Sequence, residues 1–250
     1  MALPNLVLSQ ILSKSDFRTI QTIRKVSKSL RGFVDDVKPN SGLLEVTVTM
    51  CDSENLKICY KTADGEYKVQ YQSTDDGCLM IHGKKEWIFN NVKPSTIAFG
   101  DLEQILSKQK SILKTIFSSE SEVLEIDEIS SSAHWTRIKE ITIEGCYIST
   151  SDLKHFKNSN FKKVSVDLKT INTEDVMELK NIFLASESLQ KFTLFYSEFS
   201  DLKGLLDILG PPKEHRSFRT SWFFRFPESS DSLKLEHLNF EQPKFILSRV

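Results

Sequence analysis

Histidine, cysteine and acidic side chains supply metal ligands, nucleophiles and general acids, so their spacing is the first guide to chemistry. In this sequence the histidines are scattered, and none pairs with another His, a Cys or an acid at a metal-ligand spacing. They are His82, His134, His155, His215 and His237. The cysteines show no CxxC or other metal spacing, which indicates reduced and mostly buried thiols. They are Cys51, Cys59, Cys78 and Cys146.

Two groups of charged residues could suggest chemistry, but solvation explains both better. His215 follows Glu214 in a charged loop, which favours a solvated surface group. Glu125, Asp127 and Glu128 fall at the end of a predicted strand, where solvation is favoured over acid–base chemistry. The sequence has no GxGxxG, GxxxxGK[ST] or GxSxG motif, and its nine glycines make a phosphate-binding loop improbable. We therefore expect no catalytic residue, no metal site and no cofactor.

Two further groups of residues could bind nucleic acid. The first is a basic set on a predicted third helix, comprising Arg24, Lys25, Lys28 and Arg31. Three helices with a basic third helix can mimic a helix-turn-helix, but the solvated face of an amphipathic helix is the favoured interpretation, since no aromatic residues interleave this face. The second is a late aromatic run, Trp222, Phe223, Phe224 and Phe226, which could stack on bases but more often forms a buried strand. Nucleic acid is therefore an unlikely partner.

Composition is ordinary for a globular protein of one or two domains, with 250 residues of which 39% are hydrophobic and 27% charged. No apolar run approaches the ~20 residues that a membrane helix needs, and the N-terminus does not resemble a secretory signal. These features predict an intracellular protein, cytoplasmic or nuclear, without membrane contact. Residues 1–40 carry seven basic and three acidic side chains, a net charge of +4, against −5 for the rest of the chain. A basic N-terminal module on an acidic body suits an acidic partner.

The first forty residues predict three short helices. Pro4 suits the first position of a helix, and Asp16 suits the N-cap of a second helix. The apolar stripe predicted for the third helix consists of Ile23, Val26, Leu30 and Phe33. About forty residues bury too little surface for a self-sufficient core, so we expect some apolar groups to stay exposed as a partner site.

Residues 42–95 predict an antiparallel β-meander. The apolar period changes to two after Gly42, as in Leu44, Val46 and Val48, which alternate with polar residues. Asp64-Gly65 is a hairpin signal between two such runs. One face of the meander is apolar and needs a cover.

Residues 96–250 predict alternating helices and strands. Asp101 is the predicted cap of a helix running to Phe117, and Thr173 that of a later helix. A strand is predicted over 123–126, and the last three strands close the chain. Such alternation favours parallel pairing and an open stack resembling degenerate leucine-rich repeats. The predicted fold class is therefore α+β or α/β, with a small helical module, a meander and a strand–helix stack.

Several motifs together resemble a known family. Leu3-Pro4, Ile11-Leu12, Asp16-Phe17 and the run from Arg24 to Asp35 resemble the F-box of the large nematode F-box family. Ser15 stands where that family usually has an apolar residue. Asp101-Leu102, Gly145-Cys146 and the Trp222-x-Phe-Arg-x-Pro strand are similar to the FTH domain, which follows the F-box in that family. The resemblance divides the chain into an F-box at 1–41, a β linker at 42–95 and an FTH-like domain at 96–250.

The resemblance implies a non-catalytic subunit of an SCF-type ubiquitin ligase. F-box modules bind a Skp-type adaptor and through it a cullin, while the body recruits a protein substrate, which the sequence does not identify. The residues expected to form or support the adaptor-binding surface are Leu3, Pro4, Val7, Ile11, Leu12, Phe17, Ile20 and Val26. The alternatives are an interaction adaptor outside ubiquitin ligation, such as a scaffold or translational regulator, and a small nucleic-acid binder that uses the basic helix.

Overall fold

Three helices of ten residues each begin the protein in a computed structural model of the chain: α1 (Asn5–Lys14), α2 (Phe17–Val26) and α3 (Lys28–Val37). The chain divides into two compact units, residues 1–115 and 116–250, which are described in turn. The structure describes residues 5–37, 39, 42–52, 54–106, 114–119, 124, 126–130, 135, 138–157, 159–227 and 229–250. No helix in these ranges is both long enough and apolar enough to span a membrane.

The break between the second and third helices differs from the prediction. Asp16 caps α2 as predicted, because its carboxylate accepts a hydrogen bond of 2.6 Å from the Thr19 amide. The third helix, however, does not include Ile23 and Val26, because α2 continues to Val26 and ends at Ser27. Ser27 is extended, and its hydroxyl accepts a hydrogen bond from the Leu30 amide that caps α3. A serine that bonds its own downstream backbone in this way favours a helix start over a helix interior.

Five antiparallel strands follow and confirm the meander: β1 (Leu43–Met50), β2 (Leu56–Thr62), β3 (Gly65–Thr74), β4 (Gly77–His82) and β5 (Lys85–Asn90). Side chains of β1 to β3 alternate, so that Val46, Val48, Ile58, Tyr60 and Tyr71 lie buried on one face. A two-residue hairpin joins β2 to β3 as predicted, but its loop is Ala63-Asp64 and not Asp64-Gly65, because Gly65 pairs with Thr62. Gly77 pairs with Thr74 at a φ of +145°, where a side chain would collide with the Phe89 carbonyl.

Helix α4 (Pro94–Leu106) packs on β2, β3 and β4 and covers their buried face. The predicted helix from Asp101 to Phe117 is therefore wrong at both ends. Pro94 begins the helix, and Asp101 lies inside it, where its carboxylate accepts a hydrogen bond of 3.0 Å from the Tyr71 hydroxyl. Ile116 and Phe117 belong instead to strand β6 (Lys114–Ser119), which crosses the boundary between the two units. Residues 107–113 of the predicted helix lie outside the described residues.

The second unit contains seven further strands in the order β7-β8-β9-β13-β12-β11-β10. They are β7 (Glu140–Glu144), β8 (Lys163–Ile171), β9 (Lys191–Phe199), β10 (Glu214–Arg216), β11 (Arg219–Arg225), β12 (Ser232–Leu238) and β13 (Lys244–Arg249). The helical segments that the structure describes fully in this unit are α5 (Asp127–Ser130), a 3₁₀ helix (Thr150–Phe156), α6 (Thr173–Ala185) and α7 (Leu202–Leu209). The α+β fold class is confirmed.

Among the strand pairs whose register the structure describes, β7–β8 and β8–β9 are parallel, whereas parallel pairing is wrong for the last strands. The four strands β10 to β13 are joined by loops with no intervening helix, so they can form only antiparallel pairs. Strand β13 also pairs antiparallel with β9. The cap of α6 is Asn172 rather than Thr173, because the Asn172 side chain accepts the Asp175 amide. Leu124 and Ile126, from the strand predicted over 123–126, are buried but lie in no strand, and the other two residues are outside the described ranges.

One face of the strands in the second unit is covered by helices. Val164, Val166 and Leu194 are fully buried on that face, and the Phe156 ring of the 3₁₀ helix packs edge-on against Phe192 at 5.5 Å. The alternate positions of the same strands, such as Thr193, are only half-buried. Within the described part of the chain, the sheet therefore has one helix-covered face and one open face.

His237 lies buried on the covered face with its ring stacked on Phe245 at 4.7 Å. The Tyr196 hydroxyl oxygen is 2.5 Å from His237 Nε2. Burial lowers the pKa of His237 to about 4. An exposed histidine titrates near 6.5, so between about pH 4 and 6.5 the unfolded chain binds more protons than the folded chain.

We therefore expect the free energy of unfolding to decrease by about 2 kcal/mol between pH 7 and pH 5, with the contribution of His237 exhausted near pH 4. Urea unfolding at a series of pH values measures this loss. The double variant Tyr196→Phe/His237→Phe should flatten the dependence, because it removes both polar partners. His215→Gln, at an exposed position on β10, should leave it unchanged. An equal slope in the double variant and the parent would contradict the assignment to His237.

Candidate functional site

Helix α1 carries three adjoining apolar side chains that remain accessible. Leu6 is 71% exposed, Val7 37% and Ile11 43%. Val7 and Ile11 are four residues apart and so share one side of the helix, while Leu6 lies about 100° around the helix from Val7, at the edge of that side. A short helix with such a face is suited to bind an apolar surface of another protein.

A small core beneath this face holds the three helices together. Leu12, Ile20 and Val34 are buried in it, one from each helix. The partly buried Ile23, Phe33 and Val37 pack against them. Leu12 and Ile20 are therefore buried beneath α1 and pack the three helices together.

Phe17 connects α2 to the five-stranded sheet of the first unit. Its ring is buried, with its centroid 5.2 Å from that of Tyr60 and 5.5 Å from that of Tyr67. Aromatic pairs at these separations contribute both buried area and favourable ring geometry. The helical module thus shares a core with the sheet.

Arg24 makes three hydrogen bonds, two within the three helices and one to α4. Its guanidinium donates to Asp35 at 3.0 Å, to Gln21 at 3.1 Å and to Gln104 of α4 at 2.7 Å. Only 11% of the Arg24 side chain is exposed, so the expectation that it belongs to a solvated basic face is wrong. Arg31 donates to the Arg24 carbonyl at 3.2 Å, across the break between α2 and α3. The basic set is therefore divided between two helices, and the side chain of Lys25 lies outside the description.

A cavity of about 120 Å³ lies between α2, α4 and the sheet, lined by Tyr60, Tyr71, Asp101 and neighbouring side chains. The buried Tyr60 hydroxyl has no hydrogen-bond partner in the described part of the chain. Burial raises the pKa of Tyr60 well above its ordinary value, and burial likewise raises the pKa of Tyr71. Both phenols stay protonated at neutral pH, and the cavity has room and polar groups for ordered water.

The eight residues expected at the adaptor-binding surface fall into three groups. Val7, Ile11 and Val26 are exposed, whereas Leu12, Phe17 and Ile20 are buried. Leu3 and Pro4 lie outside the described residues. The structure adds Leu6, which sequence reasoning missed because this exposed residue lies about 100° around the helix from Val7 and outside the helical spacing of Val7 and Ile11.

The second unit brings one histidine close to two acids, contrary to the prediction that no histidine has an acidic neighbour at metal-ligand spacing. Asp152 and His155 are both in the 3₁₀ helix, where residues three apart eclipse each other. His155 Nε2 lies 2.7 Å from an Asp127 oxygen and 4.0 Å from an Asp152 oxygen. The Asp-x-x-His spacing is visible in the sequence, but it brings the two side chains onto one side only if the segment forms a 3₁₀ helix. Asp127 comes from the separate helix α5, which the spacing does not indicate.

Two grooves flank the loop between β12 and β13, and both are lined by Glu241 and Gln242. One, of about 660 Å³, is lined by the exposed rings of Phe218 and Phe240. The other, of about 520 Å³, contains Asp167, whose carboxyl pKa is raised by burial and further by the charge of Glu144. The grooves combine apolar and acidic walls, which suits a peptide rather than a nucleic acid.

The aromatic run of β11 is largely internal. Trp222 and Phe226 are buried, and the Trp222 indole donates to the Gly210 carbonyl at 3.0 Å. Phe223 and Phe224 are half-buried, with the amines of Lys213 and Lys180 over their respective rings. The run is therefore a strand with covered rings and offers no free platform for stacking bases.

Two family comparisons match this chain. The sequence model of the FTH domain matches residues 80–212, and that of the F-box domain matches residues 1–41. No curated protein and no solved structure matches the chain significantly. The F-box match covers the three helices and their exposed α1 face, and the FTH match begins in β4 and ends after α7.

Proposed function

Because the chain belongs to the F-box proteins with an FTH domain, we propose that it is the substrate-recognition subunit of an SCF-type ubiquitin ligase. The F-box docks a Skp-type adaptor and through it a cullin, and residues 96–250 recruit a protein substrate. The chain itself performs no chemistry. It acts by proximity, since holding a substrate lysine near the conjugating enzyme raises the effective concentration of the two. The protein would act inside the cell, in the cytoplasm or the nucleus.

The observation that carries this proposal is the exposed apolar face of α1 above a buried core. Leu6, Val7 and Ile11 supply the face, and Leu12 with Ile20 holds it in place. Exposed apolar groups on a rigid support are what a stable docking surface requires. Phe17 and Arg24 support the same role, because they fix α2 to the sheet and α4 of the first unit.

For substrate recruitment, the open face and grooves of the second unit are the best-supported surface. The Phe218 and Phe240 rings are exposed there, with centroids 6.4 Å apart. Adjacent Lys244 and Glu241 give the groove a charged rim. An aromatic anchor within a polar rim is the usual composition of a binding hot spot. We assign the substrate site to this part of the FTH-like domain and propose that residues 42–95 set its spacing from the F-box.

The second candidate function is a protein-interaction adaptor outside ubiquitin ligation, acting as a scaffold or translational regulator. The grooves of the second unit also favour this second candidate, because a peptide could bind in them without any ubiquitin ligase being present. Affinity purification of the full-length chain, followed by mass spectrometry, distinguishes the two. Recovery of a Skp-type adaptor together with a cullin supports the ligase subunit. Recovery of other partners without either protein overturns it in favour of the second candidate.

Ser15→Leu is expected to tighten adaptor binding by about tenfold, because an apolar side chain at a contact position adds on the order of 1–2 kcal/mol of burial. In the parent, the Ser15 hydroxyl donates to the Ile11 carbonyl at 2.8 Å. Titration with purified adaptor measures the effect. Ser13→Leu is the matched control, since Ser13 makes an equivalent bond to the Gln10 carbonyl at 2.9 Å. Equal affinities for the parent and both variants would place Ser15 away from the adaptor.

A further inference from the structure

We propose that Asp127, Asp152 and His155 form a binding site for a divalent transition-metal ion, with zinc as the best fit. Their ligand atoms all lie within 4.8 Å of one another. The site is in the second unit and does not depend on the F-box. The proposal rests on the orientation of the histidine, on the fixed position of one carboxylate and on the kind of ligands present.

Hydrogen bonds around His155 determine which ring nitrogen faces the acids without a proton. The Ser130 hydroxyl donates to the Asp127 carbonyl at 3.1 Å, so its oxygen is the acceptor for His155 Nδ1–H at 3.0 Å. In the neutral ring, Nε2 then carries a lone pair. This atom is buried, lies 2.7 Å from an Asp127 oxygen and 4.0 Å from an Asp152 oxygen, and makes no aligned hydrogen bond within the described residues. Lone pairs that face each other repel unless a cation lies between them.

A metal ion satisfies this arrangement more completely than a proton. A proton on Nε2 would serve the Asp127 oxygen at 2.7 Å, but the Asp152 oxygen at 4.0 Å is too far for a hydrogen bond. The other Asp152 oxygen accepts the Ser149 amide at 3.1 Å, which holds that carboxylate in place. Only 10% of the Asp152 side chain is exposed, and a buried carboxylate needs a compensating charge.

The surroundings match those of known metal ligands. A histidine that binds a metal usually donates its other ring N–H to a fixed acceptor, the role that Ser130 has here. Trp135 donates to the His155 carbonyl at 3.1 Å and so fixes the backbone at the same residue. The site thus has an oriented imidazole and an oriented carboxylate before any ion binds.

The ligand set and its spacing favour zinc. One imidazole nitrogen and two carboxylate oxygens are typical zinc donors, whereas magnesium prefers oxygen alone. Tetrahedral zinc with bonds of about 2.0–2.2 Å places its ligand atoms roughly 3.3–3.5 Å apart. Zinc binding therefore requires the Asp127 oxygen to move away from His155 Nε2, from 2.7 Å, and the Asp152 oxygen and this nitrogen to approach each other, from 4.0 Å. The Asp127 side chain is 76% exposed and can rotate, whereas the second change requires a small shift of the Asp152 or His155 side chain. Three protein ligands leave a fourth position for water or another donor.

Metal binding is tested on the full-length chain after treatment with a chelator. Isothermal titration with zinc chloride should give one ion per chain, and cobalt(II) should develop the visible absorption of a tetrahedral site. Asp152→Asn and His155→Gln should each weaken zinc binding by at least tenfold. His215→Gln is the matched control, because this exposed histidine on β10 belongs to no group of metal-ligating side chains among the described residues, and its zinc affinity should equal that of the parent.

Three results would overturn the proposal. The first is no zinc binding by the parent, which leaves an ion pair between His155 and Asp127. The second is unchanged affinity in the ligand variants. The third is a cobalt–thiolate absorption band, which would assign the ion to cysteines. Should His155→Gln or Asp152→Asn fail to fold by circular dichroism, Asp127→Asn provides the decisive variant, because its exposed side chain carries little of the core.

Discussion

The double variant Val7→Ala/Ile11→Ala is expected to weaken binding of a Skp-type adaptor by at least thirtyfold while the chain stays folded. Both side chains lie on the exposed side of α1, so their removal takes apolar area from the interface and little from the core. Truncating a hot-spot residue costs 2 kcal/mol or more, which corresponds to about thirtyfold in affinity. Titration of the purified full-length chain with adaptor measures the change.

Ile88→Ala is the matched control for this loss. Ile88 is an exposed isoleucine of the same unit, on strand β5 rather than on α1, and its truncation should leave adaptor affinity unchanged. Circular dichroism and urea unfolding verify that the double variant keeps its fold. Undiminished binding would place the adaptor elsewhere on the chain. Loss of fold in the double variant would mean that Val7 and Ile11 stabilise the helices first.

Local signals in the sequence predicted the elements whose geometry is set by neighbours in the chain. The cap at Asp16 and the hairpin before Gly65 each depend on residues within four positions, and each is present. The alternation of apolar and polar residues in the meander likewise requires only that one face of each strand be buried. These signals are strong because short-range hydrogen bonds and alternation do not depend on the rest of the fold.

Long-range contacts explain why some of the predicted helices and strands differ from the structure. Asp101 has the type of an N-cap, but inside α4 its carboxylate accepts the Tyr71 hydroxyl, a partner 30 residues earlier. Ile116 and Phe117 continue an apolar pattern that fits a helix, yet they pair in a strand. The parallel stack was extended too far because strand pairing in β10 to β13 depends on loops without helices. Pattern alone does not distinguish such cases.

The candidate site shows the same limit. Exposed Val7 and Ile11 follow from helical spacing, but the burial of Arg24 depends on Gln104, which lies 80 residues away. The Asp127–His155 contact likewise joins separate helical segments. A single sequence contains no signal for such pairs, so it identifies the helical module and leaves its supports undetermined.

Phe17→Ala is expected to lower the free energy of unfolding by about 3–5 kcal/mol, the largest stability effect of any change considered. The ring is fully buried between α2 and the sheet, and its removal leaves a cavity against Tyr60 and Tyr67. Urea unfolding of the full-length chain measures the loss, and Phe17→Leu should recover part of it by filling the space.

The matched control is Phe240→Ala, which removes the same side chain from an exposed position in the second unit and should change stability by less than about 0.5 kcal/mol. Adaptor affinity gives the second measurement. If Phe17 supports the docking surface from within the core, conditions that keep Phe17→Ala folded should restore most of its adaptor binding. Full stability in Phe17→Ala combined with lost binding would instead place the ring directly against the adaptor. The two measurements together therefore separate a side chain that holds the helices in position from one that contacts the partner.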